Sequence, residues 1–215
     1  CQACGKCVEA CEHGALALVG REMSVAEVME VVERDQAFYR RSGGGLTVSG
    51  GEPLAQAAFT LALFQAARGR QIHTCLDTCG AGDPADLEAL LPVTDVVLFD
   101  YKATGADVHQ ALTGADGVAL GENLERVLAS GTPLILRVPL VPGANDTSEH
   151  LDAVAALAAR HPLEAVEVMP HHALGRDKRR RLGRPEGPDW PSATSARSRT
   201  WLEALATRGC DARLG

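Results

Sequence analysis

The chain has 215 residues, of which 46% are hydrophobic and 23% charged, and its formal net charge is −7. These values are typical of one main globular domain, and the acidic balance argues against general nucleic-acid binding, which usually needs a basic surface. Because the sequence contains neither an apolar run long enough to cross a bilayer nor a signal-peptide pattern, we expect a cytoplasmic protein.

The first eleven residues, CQACGKCVEAC, contain four cysteines: Cys1, Cys4, Cys7 and Cys11. Their C-x2-C-x2-C-x3-C spacing is that of ferredoxins with 4Fe–4S clusters. Four thiolates can also bind zinc, but zinc sites more often have two C-x2-C pairs with a longer spacer. We therefore favour a 4Fe–4S cluster, and the spacing leaves open whether Cys11 binds the same cluster or a second one.

The segment after the cysteines begins with a short apolar run, ALALV at 15–19, which predicts a strand. Ser24 and Glu27 then form a capping box, the usual start of a helix. Apolar residues at helical spacing predict that this helix covers about 25–35, and SGGG at 42–45 interrupts the pattern.

From residue 45 onward, predicted strands and helices alternate. The predicted strands are 45–50, 72–77, 94–102, 133–141 and 165–169. The predicted helices are 54–68, one capped by Asp83 before Pro84, about 121–130, one from Asp146 or Thr147 to about 160, and 193–208. A polar segment at 176–192 is predicted to be a loop. The alternation indicates an α/β fold with parallel strands, either a doubly wound sheet or a barrel.

Each predicted strand ends in glycine or polar residues. These are Gly50, Gly51, Glu52 and Pro53; Asp77, Thr78, Cys79 and Gly80; Asp100, Tyr101 and Lys102; Arg137 with 142–146; and Pro170, His171 and His172. Any one of them can be an ordinary turn residue. Because the carboxyl ends of parallel strands share one rim, where ligands bind, the five groups together predict one binding site.

These motifs resemble the glycyl-radical enzyme activating enzymes, a radical S-adenosylmethionine family that includes pyruvate formate-lyase activase. The similar segments are RDQAFYRR at 34–41, SGGGLTVSGGEPLAQ at 42–56, DTCG at 77–80, FDYK at 99–102, LRVPLVPGAND at 136–146, MPHHALGRDK at 169–178 and GCDARLG at 209–215. The resemblance implies a partial (β/α) TIM-type barrel over 23–215, after part of a ferredoxin-like 4Fe–4S insert over 1–22. It also implies that the first barrel strand and the catalytic C-x3-C-x2-C motif lie upstream, so we expect an N-terminally truncated chain.

The resemblance implies reductive cleavage of S-adenosylmethionine to a 5′-deoxyadenosyl radical, which removes hydrogen from a glycine of a partner enzyme. The implied partners are a glycyl-radical enzyme and a reducing donor such as flavodoxin or ferredoxin. Since the cysteines of the catalytic cluster are absent from the chain, no catalytic residue is assigned within it, and the chain alone is expected to be inactive.

The resemblance also implies which residues contact the cofactor. They are Ser49, Gly50, Gly51, Glu52, Asp77, Thr78, Asp100, Tyr101, Lys102, Arg137 and His172. The SGGE segment would contact the methionine ammonium, and Asp77, Thr78 and Asp100 would form a site for the cofactor and a monovalent cation. Two alternatives stay open, namely that Lys102 is simply solvated and that Arg137 forms a buried structural ion pair.

Three alternative interpretations of the protein's function also remain. The chain is compatible with a radical enzyme acting on another substrate, an iron–sulfur electron-transfer module, or a broken gene product. Cys75, Cys79 and Cys210 are interpreted as small apolar core residues. The basic run at 176–181 is either a docking surface for the partner enzyme or a solvated loop.

Overall fold

The computed structural model describes residues 4–115, 117–173, 180, 183 and 190–215. Its centre is a parallel sheet in which each strand pairs with the next one along the chain. The strands are β1 (Gly45–Val48), β2 (His73–Thr78), β3 (Val96–Asp100), β4 (Leu134–Leu140), β5 (Ala165–Pro170) and β6 (Ala212–Leu214). A doubly wound sheet would reverse its strand order part-way, so the sequential order is that of a partial (β/α) barrel, as expected.

Among the described residues, three helices precede β1, and the others connect consecutive strands, as the crossovers of a parallel sheet require. In the described part of the chain they are α1 (Lys6–Glu9), α2 (Val25–Glu33), α3 (Gln36–Ser42), α4 (Ala57–Arg68), α5 (Pro84–Leu90), α6 (Ala106–Thr113), α7 (Gly117–Ser130), α8 (Ser148–Arg160) and α9 (Ser195–Ala206). Short 3₁₀ turns precede α4 and follow α5. No helix among the described residues is long and apolar enough to span a membrane.

The helix starts agree with the sequence pattern. Ser24 Oγ accepts the Glu27 N–H at 3.3 Å, and the Glu27 carboxylate accepts the Ser24 N–H at 2.7 Å, so the predicted capping box begins α2. Asp83 caps α5 ahead of Pro84. Of the two residues considered for the cap of α8, Thr147 is the one whose hydroxyl accepts the bond. Asp146 instead pairs with a residue of α9.

Several local predictions were wrong. The apolar run at 15–19 forms no strand and is exposed, with Val19 at 83%, because no described strand lies beside it to pair with it. Helices α3 and α6 were not predicted, and α7 begins before residue 121. The buried set of α6 is a single residue, His109, so this helix has no apolar stripe to detect. The loop predicted at 176–192 lies almost wholly outside the described residues.

The larger of the two apolar clusters among the described residues lies between the helices and one face of the sheet. Helices α4, α5, α7, α8 and α9 all contribute buried residues to it, among them Phe64 and Trp201. In β4 the burial alternates, with Leu134, Leu136, Val138 and Leu140 buried and the residues between them half-buried. Because side chains alternate between the faces of a strand, Arg137 projects from the face opposite the helices.

Candidate functional site

A polar cavity of about 210 Å³ lies at the carboxyl ends of the first four strands. Its lining residues are Ser49, Gly50, Gly51, Glu52, Asp77, Thr78, Cys79, Asp100, Lys102 and Arg137. The structure therefore brings together all the residues predicted to contact a cofactor except Tyr101 and His172. They come from the carboxyl ends of β1, β2 and β3 and, for Arg137, from the middle of β4, and they meet because the strands are parallel and adjacent.

The loop after β1 is organised by Glu52. One carboxylate oxygen, Oε1, accepts the Thr78 hydroxyl at 2.5 Å and the Leu54 N–H at 3.2 Å. The other, Oε2, accepts the Cys79 N–H at 2.9 Å and the Cys79 thiol at 3.1 Å. Glu52 thus caps its own 3₁₀ turn and joins the loops after β1 and β2. A direct contact with an ammonium would require one of these four donors to move, since a carboxylate offers about four lone-pair sites.

Glycine is required at two positions beside these bonds. Gly50 has a backbone φ of 127°, a conformation that residues other than glycine rarely adopt. Gly80 combines φ of 78° with a tight contact, because a Cβ there would lie 2.8 Å from the Phe99 ring. The two glycines let the backbones of both loops turn close to the cavity.

Arg137 joins two carboxylates across the cavity. Its Nη1 donates to Asp77 Oδ1 at 2.8 Å, and its Nε lies 3.6 Å from Asp100 Oδ1. Ser49 donates its hydroxyl to the second oxygen of Asp77 at 2.9 Å. The structure therefore supports the ion-pair alternative for Arg137, and it places that ion pair inside the cavity rather than in a closed core.

Asp100 has ion-pair neighbours but one incompletely satisfied carboxylate oxygen. Its buried Oδ1 has no hydrogen-bond donor among the described residues. Burial raises the pKa of Asp100, while the nearby charges of Lys102 and Arg137 act in the opposite direction. The Lys102 ammonium lies 3.6 Å from the other oxygen, Oδ2, and its side chain is 35% exposed, so Lys102 is partnered rather than simply solvated. Oδ1 has the Arg137 guanidinium 3.6 Å away but no hydrogen bond, so it suits a positively charged ligand group that can donate one.

Two predicted residues lie elsewhere. Tyr101 turns away from the polar cavity: its hydroxyl lies 3.0 Å from Thr104 Oγ1, and its ring stacks on His150 at 5.3 Å. It lines a second cavity of about 270 Å³ between the loop after β3 and helices α6 and α7. Burial lowers the pKa of His150 to about 4, so this stacked imidazole is neutral at pH 7. His172 is exposed after β5 and does not line either cavity.

Other residues contribute in ways that the sequence analysis missed. Cys79 is half-buried, lines both cavities and donates its thiol to Glu52, so its interpretation as a small apolar residue was wrong; Cys75 and Cys210 are buried as expected. Asn123 donates to the carbonyls of Gly80 and Gly82 at 2.8 and 3.1 Å, holding the loop after β2. An asparagine at a buried, otherwise apolar position of α7 was the signal available in the sequence.

The cysteine loop is described only in part, since Cys1 lies outside the described residues. Cys4 and Cys7 are exposed, and Cys11 is half-buried. The Ala15 N–H donates to Cys11 Sγ at 3.2 Å, and the backbone N–H groups of Ala15 and Leu16 lower the pKa of this thiol. Backbone donors to a thiolate are the usual support of an iron–sulfur ligand. No group of three or more acidic, histidine or cysteine residues is arranged around a metal position in the described ranges.

Comparison with known proteins identifies the family of the chain. A model of the Radical SAM superfamily matches residues 10–157. The isethionate sulfite-lyase activating enzyme of Oleidesulfovibrio alaskensis is 43% identical over 83% of the chain and 58% of its own length. That of Nitratidesulfovibrio vulgaris is 40% identical over 95% of the chain and 67% of its own length. The chain thus spans between half and about two thirds of these relatives.

A solved structure shows the same fold. A domain of the pyruvate-formate lyase-activating enzyme from Bacteroides vulgatus superposes with a TM-score of 0.66 and 22% identity, covering 80% of the chain and 99% of that domain. The family match and the relatives agree with a cavity lined by the SGGE and DT motifs and by Asp100 and Lys102 of the DYK motif. The chain belongs to the radical SAM superfamily, in the group of glycyl-radical enzyme activating enzymes.

Proposed function

We propose that the chain binds S-adenosylmethionine in the polar cavity and belongs to an enzyme that installs a glycyl radical on a partner enzyme. The observation that supports this most strongly is the convergence of Ser49–Glu52, Asp77–Thr78, Asp100, Lys102 and Arg137 on one cavity. A small cavity that holds carboxylates, an ammonium and a guanidinium complements the amino-acid end of the cofactor, which carries both charges.

The residues of the chain would bind and orient this ligand. The turn at Gly50 would present backbone carbonyls to the ligand ammonium, and Asp100 Oδ1 would supply negative charge. Lys102 would contact the ribose or carboxylate, and the expected monovalent cation would bind beside Asp100. When bound, S-adenosylmethionine and a reduced 4Fe–4S cluster would supply the radical chemistry, while the protein supplies binding and orientation.

The cysteine loop would hold a second, auxiliary cluster. Cys1, Cys4, Cys7 and Cys11 have the spacing for 4Fe–4S binding, and the backbone donors at Cys11 favour its thiolate. The proposal includes the division into an insert at 1–22 and a barrel at 23–215, a cytoplasmic location, and an electron donor of the flavodoxin or ferredoxin type.

We expect this chain to bind S-adenosylmethionine without cleaving it. Residues 1–215 contain the proposed cofactor cavity but no C-x3-C-x2-C motif. We therefore expect calorimetry to detect binding of S-adenosylmethionine to the purified chain, and chromatography to detect no 5′-deoxyadenosine under anaerobic reducing conditions. A chain that is folded but does not bind the cofactor would contradict the proposal and favour an electron-transfer module. Formation of 5′-deoxyadenosine would show that C-x3-C-x2-C is not needed.

We further propose that the partner is an isethionate sulfite-lyase. The support is that relatives at 43% and 40% identity carry this partner in their names, whereas the pyruvate-formate lyase-activating domain is 22% identical. In an anaerobic binding assay with immobilised chain, isethionate sulfite-lyase is expected to bind at least about tenfold more tightly than pyruvate formate-lyase. Equal affinity for the two enzymes, or a preference for the second, would contradict this assignment.

A further inference from the structure

The pairing of β3 with β4 is interrupted where the cofactor cavity begins. The last ladder bond in this direction runs from the Tyr101 N–H to the Arg137 carbonyl at 2.8 Å. In a parallel ladder, the next bond would run from residue 139 back to the Tyr101 carbonyl. Residue 139 is proline, which has no N–H, so the ladder cannot continue. The Tyr101 carbonyl therefore has no ladder donor at residue 139, and the chain leaves the sheet at Lys102.

The side chain of Asn145 links the two chain segments just beyond this interruption. Its Nδ2 donates to the Lys102 carbonyl at 2.7 Å and to the Pro139 carbonyl at 2.6 Å, while its Oδ1 accepts the Val141 N–H at 2.7 Å. Asn145 is 3% exposed, so these bonds form away from solvent. One amide thus ties the loop after β3 to the end of β4 at the residue whose ammonium faces Asp100.

We propose that Asn145 is a positioning residue that holds Lys102 in its place in the cofactor cavity. The inference rests on the proposed binding of S-adenosylmethionine and adds to it a residue outside the cavity lining. No other side chain in the described ranges donates a hydrogen bond to the Lys102 carbonyl. Without the amide, the peptide after Lys102 loses its link to β4, and the lysine side chain is free to turn toward solvent.

The test is a double-mutant cycle on cofactor affinity. Asn145→Ala and Lys102→Ala are each expected to weaken S-adenosylmethionine binding by about tenfold. If Asn145 acts through Lys102, the double variant should bind no more than about twofold more weakly than Lys102→Ala alone. Wild-type affinity for Asn145→Ala, or effects that multiply in the double variant, would overturn the inference.

A matched control separates positioning from general loss of stability. Thr74 is also fully buried, and its hydroxyl donates to the Val93 carbonyl at 2.8 Å, but it lies at the opposite, amino end of β2. Thr74→Val keeps the shape and removes the hydroxyl. It is expected to lower the melting temperature about as much as Asn145→Ala while leaving cofactor affinity unchanged. An equal loss of affinity in Thr74→Val would assign a merely structural role to Asn145.

A second readout does not depend on the cofactor. Amine acetylation followed by mass spectrometry reports how freely the Lys102 ammonium leaves Asp100. Asn145→Ala is expected to speed acetylation at Lys102 several-fold, with no change at the exposed Lys6. If wild-type protein fails to bind S-adenosylmethionine, the proposed function fails, and this rate still tests the inference. An unchanged rate at Lys102 would overturn it.

Discussion

Replacing Glu52 by glutamine is expected to weaken S-adenosylmethionine binding by about a hundredfold and to lower the free energy of unfolding by about 2 kcal/mol. The carboxylate accepts four donors from three residues, two of them backbone N–H groups. A glutamine amide has the same shape but replaces one acceptor oxygen by an NH₂ donor. The donors that now bond this oxygen would then face another donor. Calorimetry and urea unfolding measure the two quantities.

The outcome for Glu52→Gln also separates two roles. Loss of both stability and binding indicates that the carboxylate organises the loops after β1 and β2. Loss of binding alone would indicate the direct contact with the ligand ammonium that the family resemblance implies. Glu88→Gln is the matched control, because Glu88 is 62% exposed and pairs with Arg126 at the surface, where such pairs contribute little. Wild-type behaviour of Glu52→Gln in both assays would contradict either role.

Arg137→Met is expected to lower the free energy of unfolding by about 2 to 3 kcal/mol at pH 7. The guanidinium is the charge that Asp77 and Asp100 share, and both carboxylates are largely shielded from water. Burial already raises the pKa of Asp100, and Arg137 opposes that rise. Removing Arg137 therefore raises the pKa of Asp100 further and leaves two like charges in one cavity.

The sign of the pH dependence follows from the direction of this shift. A carboxyl whose pKa is higher in the folded than in the unfolded protein favours folding while protonated, and this contribution is lost as the pH rises through the folded pKa. The stability difference between wild type and Arg137→Met is thus expected to be largest at pH 7 and to shrink as the pH falls toward the ordinary pKa of aspartate. Urea unfolding between pH 7 and 5 measures it.

A second substitution provides the control for Arg137→Met. Adding Asp100→Asn removes the raised carboxyl, so it should restore part of the stability lost at pH 7 and abolish most of the pH dependence of the difference. A stability difference between wild type and Arg137→Met that stays constant with pH would contradict the account of Asp100.

The sequence predicted those elements whose signals are local. The capping box located the start of α2, and continuous apolar runs located β3 and β4, because buried parallel strands need apolar side chains on both faces. Helix α6 lacked such a signal, since its buried set is one histidine. The run at 15–19 was misleading, because a short apolar run looks the same in sequence whether or not a neighbouring strand exists to pair with it.

Most of the cavity could be predicted because the residues that follow parallel strands meet at one rim. Tyr101 shows where that rule is too coarse, since side chains alternate along a strand and its immediate neighbours Asp100 and Lys102 take the cavity side. Cys79 and Asn145 could not be assigned from the sequence. Their roles depend on which backbone groups lie opposite them after folding, and a single motif does not carry that information.

The sequential pairing of the strands has a consequence for how the chain is made. Every described residue that lines the polar cavity lies between positions 49 and 137, and the strands that carry these residues pair only with their immediate neighbours. During translation, the whole lining set has therefore been synthesised once β4 is complete, before α8, β5, α9 and β6 exist. Because domains generally fold as units, this lining set must wait for the later segments, which supply core residues such as Leu151 and Trp201, before the cavity is stabilised.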